Sequence, residues 1–179
     1  MEDSKATRER SRVVTGMFKD RESAERAYQS VTDRGYKTED VNLLMSDDTR
    51  KKHFTTEDGP DTDLGNKALK GVGTGSAIGG TVGAILALIG AAVTLAIPGL
   101  NIIAAGPIVA ALTGAGAGGI AGGLIGGLVG WGIPEERAKA YESGLKEGGI
   151  VMGVNPRNDA DAEYFEQEWK KNRGEQIYR

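Results

Sequence analysis

The chain has 179 residues, no cysteine and a single histidine, His53. Disulfides, thiol catalysis, thiolate metal sites and histidine relays are thereby excluded. Lysine and arginine number 22 against 25 aspartate and glutamate, a net charge of −3, which leaves no overall basic footprint for nucleic acid.

Residues 1–11 (MEDSKATRERS) carry both charge signs and read as a disordered lead-in. With no apolar signal-peptide h-region behind them, no cleavable signal is expected and a cytoplasmic origin is the default. Residues 13–18 (VVTGMF) are apolar and β-branched, which predicts a strand. Asp20 suits the cap of a helix over 21–35 whose Ala24, Ala27, Tyr28 and Val31 share one face, with Gly35 as its stop. Residues 41–45 (VNLLM) predict a second strand, parallel to the first because a helix connects them. The mixed-charge stretch 49–69, with Gly59-Pro60 inside it, reads as a linker.

Residues 71–134 contain no charged residue and no histidine, and glycine recurs there at helical spacing. One series runs Gly71, Gly75, Gly79, Gly83, Ala87, Ala91; another runs Ala110, Gly114, Gly118, Gly122, Gly126, Gly130. Steps of four set each series on one helix face. Helices over 71–97 and 107–131 would each reach about 40 Å, enough for a ~30 Å hydrocarbon core. Pro98-Gly99-Leu100-Asn101 would turn between them. A glycine-zipper helical hairpin over 70–132 is therefore expected, its backbones drawn close by small residues. Ile78, Val82, Ile85, Ile89 and Val93 would face lipid, and Trp131 would anchor the interface. Gly119, Gly123 and Gly127 form a second ridge, free for a neighbouring chain, so a homo-oligomer is expected.

Beyond it, Pro134, Glu135 and Glu136 open a helix with the stripe Ala138, Tyr141, Leu145, ended by Gly148-Gly149. Residues 150–154 (IVMGV) predict a third strand. Asn158 or Asp159 can cap a last helix carrying Ala162, Phe165 and Trp169, and 174–179 read as a tail. The fold class is thus α+β: a small ferredoxin-like β-α-β/α-β-α domain, in halves 12–48 and 133–173, interrupted by the hairpin.

The segments VVTGMFKDRESAERAYQSVTDRGY, VNLLMSDD and GIPEERAKAYESGLKEGGIVMGV resemble the bacterial general-stress-protein family, also called the heat-induced stress protein domain. The central stretch is similar to the glycine-zipper two-helix segments of bacterial envelope proteins. The resemblance implies a fold and a stress-related setting; members are named for induction under stress, and no catalytic residue carries over.

Sharper chemical readings fare poorly. Gly114, Gly116 and Gly119 match G-x-G-x-x-G, but the four-step ridge runs through the motif and no strand follows where a dinucleotide fold needs one. Glu57, Asp58, Asp61 and Asp63 miss the spacing of a calcium loop. Asp47-Asp48 lack a partner base, and His53 reads as exposed. A non-enzymatic stress-related protein is expected, without metal or cofactor. It would self-assemble and insert in or associate with the cytoplasmic membrane, both termini in the cytoplasm. The alternative is a cytoplasmic particle or filament with a lipid-free hairpin core; a pore finds no polar lining.

Overall fold

The computed structural model describes residues 13–54, 85, 89, 92–97, 100–113 and 119–179. Gly71, Gly75, Gly79, Gly83, Gly114 and Gly118 of the expected ridges lie outside them, as do the lead-in and most of the linker. The fold is α+β, built on a six-stranded antiparallel sheet.

Strand β1 (Val14–Phe18) leads through Asp20 into helix α1 (Arg21–Asp33). The Asp20 carboxylate accepts from the Ser23 backbone N–H at 2.8 Å, satisfying one of the helix's orphan donors. Ala24, Ala27, Tyr28 and Val31 are buried together, as their spacing predicts. Strand β2 (Val41–Ser46) follows, then helix α2 (Asp47–Phe54). Asp47 stands in its first turn and pairs with Arg50 and Lys51 one turn on. Bonds from Lys51 and Arg50 hold the Asp47 carboxyl below the usual range. The expected linker thus begins as a helix, and Phe54 anchors it by being buried under the Arg21 guanidinium, 5.2 Å from the ring centroid. His53 is half-buried, and its backbone carbonyl accepts from Arg21 at 2.8 Å.

The expected helical hairpin is corrected at its centre. Val93–Ile97 and Leu100–Ala105 are strands β3 and β4, paired antiparallel from Val93 opposite Ala104 to Ile97 opposite Leu100. Of the expected turn Pro98-Gly99-Leu100-Asn101, Leu100 and Asn101 instead open β4, and Pro98 and Gly99 lie outside the described residues. β4 pairs with β2, so the uncharged segment extends the same sheet as the flanks. Ile85 and Ile89, expected to face lipid, are helical and pack against the core; Ile85 is fully buried.

Helix α3 (Ile108–Leu112) and helix α4 (Gly119–Gly130) stand where one continuous second helix is expected. α4 itself breaks at Gly123, whose φ of 62° and ψ of −160° are open to glycine because no Cβ is present. The ridge Gly119, Gly123, Gly127 is therefore not one straight stripe.

Helix α5 (Glu135–Lys146), strand β5 (Ile150–Val154), helix α6 (Asp159–Lys171) and strand β6 (Glu175–Tyr178) complete the chain. Asn158 caps α6 by accepting from the Asp161 N–H at 2.8 Å. The expected tail is strand β6, paired with β1.

The strand order is β3-β4-β2-β5-β1-β6. β1 and β2 both run antiparallel to β5, so they are parallel to each other with β5 between them. Side chains alternate across the sheet. Val14, Phe18, Leu43, Met45, Met152 and Val154 point to one face, where α1 and α6 bring Tyr28, Phe165 and Trp169. Met17, Leu44, Val151, Ile102 and Ala104 point to the other, where α3, α4 and α5 bring Ile108, Leu112, Leu124, Leu128, Tyr141 and Leu145. The result is three layers with the sheet in the middle.

Candidate interaction surface

The buried polar groups are occupied by structural bonds. Asn42, on β2, donates to the Gly153 carbonyl at 3.3 Å and accepts from the Ile108 N–H at 2.7 Å. It thereby fastens the start of α3 to the sheet and satisfies an orphan N–H at that helix's start. Gly106, with φ of 89°, allows the approach: a Cβ there would stand 2.2 Å from the Val41 carbonyl oxygen. The Tyr141 hydroxyl donates to the Gln176 carbonyl at 2.6 Å and lies 2.8 Å from Thr15 Oγ1, tying α5 to β1 and β6. Burial pushes its pKa up to about 12. Among the described residues, no deeply buried side-chain nitrogen or oxygen lacks a partner.

At one end of the sheet, Tyr36 accepts from the Arg157 N–H and donates to Asp161, both at 2.7 Å. Arg157 stacks 4.0 Å from the Tyr36 ring centroid, and Arg34 stacks 4.3 Å from that of Tyr164. Burial, with Asp161 beside it, raises the Tyr36 pKa despite the N–H bond from Arg157. Every member of this cluster is engaged with another, so it joins the end of α1 to the start of α6. A cavity of about 240 Å³ is lined by Pro134, Glu136, Arg137, Gln176 and Tyr178. Its one guanidinium is bonded to the Gln176 side chain. Among the described residues, no three histidine, aspartate or glutamate side chains gather as a metal site would need.

One outward surface is apolar among the otherwise charged and polar exterior of the described residues. α4 reads GIAGGLIGGLVG, with no polar side chain. It buries Leu124, Gly127 and Leu128 inward, leaves Ile125 and Gly126 half-exposed, and turns Val129 and Gly130 out. Val129 is 43% exposed, the one exposed large hydrophobic among the described residues. Gly127 supplies the close helix contact expected of a glycine ridge, but within the chain: a Cβ there would meet Leu112 Cδ2 at 2.5 Å. Gly123 and Gly130 have open space beside them. Gly119 and Gly122 lie in the first turns of α4, and Gly126 stands one turn before Gly130. Trp131, expected at a lipid interface, lies half-buried against β5, where a Cβ on Gly153 would come within 2.6 Å of its ring.

No described helix is both long and apolar enough to cross a membrane. Sequence reasoning placed Asn42 in a strand and Tyr141 on an apolar stripe but overlooked their hydrogen bonds, because the partners lie 66 and 35 residues away. Comparison with protein-family models, curated proteins and solved structures returns no match.

Proposed function

We propose that this is a non-enzymatic, stress-related protein that self-associates through its uncharged central segment. The observation that supports the reading is α4. A helix apolar on every side belongs in an interior, yet α4 covers the sheet with one side and leaves Val129 and Gly130 outward. A second copy of the chain supplies the missing cover without any charge to desolvate, since 71–134 carry none. The strand order β2-β5-β1-β6, with α1 and α6 on one face, supports the ferredoxin-like arrangement. In this reading β3 and β4 are strands added to its edge, and α3 and α4 are helices added to its second face. The likeness of the flanks to general stress proteins supplies the stress-related setting.

A second reading is favoured by the same outward apolar side of α4: it contacts a lipid surface. With no described helix able to cross, contact through α4 would be interfacial. Light scattering after gel filtration of detergent-free protein, beside flotation with liposomes, separates the two. A uniform oligomer without lipid is expected. A monomer that floats favours the lipid surface, and a monomer that does not float overturns both.

A further inference from the structure

The two edges of the sheet are built differently. At the β6 edge, pairing with β1 shifts register between Thr15 and Met17, and Arg173 and Gln176 take positive φ of 61° and 51°. Glu175 is exposed there and paired with Lys19 at 2.9 Å. Irregular pairing and charge are the means by which sheet edges refuse a further strand. β3, at the other edge, reads VTLAI, without charge and β-branched at three of five positions. Among the described residues β4 is its strand partner, and alternate backbone N–H and C=O groups of β3 point away from it.

We propose that β3 pairs antiparallel with β3 of a second copy, joining two six-stranded sheets into one continuous sheet about a twofold axis. This rests on the self-association reading and names its contact. A twofold presents one edge to itself, and an uncharged edge meets no like charge when it does so. Residues 55–84 are the competing occupant. They comprise a charged stretch followed by the glycine series, both poor in strand-forming residues. The chain also reaches β3 from helical Ile85 and Ile89, which pack on the face of the sheet. α4 lies against β3, which sets an apolar helix beside an edge that no further described strand covers.

The chain has no cysteine, so introduced thiols report cleanly. Thr94→Cys, Leu95→Cys and Ala96→Cys, one at a time, are oxidised mildly and compared with Glu175→Cys on the guarded edge. At least one β3 variant is expected to form a disulfide-linked dimer, since pairing strands bring Cα atoms within disulfide range. The Glu175→Cys variant is expected to stay largely unlinked. Thr94→Lys with Ala96→Lys is expected to shift the native mass to that of a monomer while circular dichroism stays unchanged. If that double variant unfolds, the thiol scan decides alone. A monomeric wild type overturns both this contact and the self-association reading. An oligomeric wild type whose β3 variants neither cross-link nor dissociate overturns the β3 contact and leaves self-association standing. Equal cross-linking from Glu175→Cys also overturns it.

Discussion

The two faces of the sheet are closed by opposite means. On one, α1 and α6 bring large rings: Trp169 packs edge-on to Phe18 with centroids 5.7 Å apart, and Phe165 does the same to Tyr36 at 5.1 Å. On the other, α3, α4 and α5 bring mostly aliphatic side chains with one ring, Tyr141, and come closest at glycines. Gly127 lets α4 touch Leu112, and Gly144 of α5 sits so near β1 that a Cβ would fall 1.9 Å from Met17 Sδ. Rings fill space with side-chain atoms, whereas glycines remove space by bringing backbones together. The first kind of face fails by cavity and the second by overpacking.

The largest expected effect comes from opening the ring-filled face. Trp169→Ala removes a fully buried indole whose Nε1 donates to the Ala27 carbonyl at 3.2 Å. A loss of about 3–5 kcal/mol is expected in urea unfolding. A loss under ~1 kcal/mol would mean that this face is not tightly packed. Next comes Gly106→Ala, which serves the glycine face. It forces a Cβ into a left-handed backbone and against the Val41 carbonyl, for an expected loss of about 3 kcal/mol by the same measurement.

Asn42→Ala loosens the attachment of the central segment, along with the longer bond to the Gly153 carbonyl at 3.3 Å. The Ile108 N–H would be buried without its acceptor, at a cost of about 1–3 kcal/mol. Amide exchange at 108–112 is expected to rise more than at 159–171.

Tyr141 gives the smallest effect at neutral pH and a distinct one in alkali. Its folded pKa, pushed up to about 12 by burial, exceeds the ordinary value of 10.0. The neutral phenol is favoured in the folded state, so its contribution is whole below pH ~10 and lost as pH rises towards ~12. Tyr28, Tyr36 and Tyr164 are raised in the same direction, again through burial first. Tyr141→Phe is expected to cost about 1 kcal/mol at pH 7 and to flatten, without abolishing, the fall in stability between pH ~10 and ~12. An unchanged alkaline slope would show that Tyr141 does not titrate with unfolding.

The flanks were legible in the sequence because their signals are local. Asp20 and Asn158 stand at helix starts, and Ala138, Tyr141 and Leu145 keep helical spacing and are all buried. The central segment was not legible in the same way. With no charged residue to mark an outward side, a buried strand and a buried helix share one largely apolar pattern. Glycine at every fourth residue favoured the helix. VTLAI and LNIIAA on either side of Pro98-Gly99 carry the competing hairpin signal, through β-branched residues flanking a turn. Strand β6 was missed for another reason: EQIY is short and half-polar, and only its place beside β1 makes it a strand. The outward side of α4 could be foreseen as apolar, but which side would be outward depends on the break at Gly123.

The uncharged strands β3 and β4 belong to the same sheet as the flanking strands. Hydrogen–deuterium exchange on detergent-free, lipid-free protein tests it most directly. Amides of 100–105 are expected to be protected to the same degree as those of 41–46 and 150–154, because β4 shares its ladder with β2 and, through it, with β5. Rapid exchange at 100–105 alongside slow exchange at 41–46 and 150–154 would contradict it, and would detach the segment from the fold.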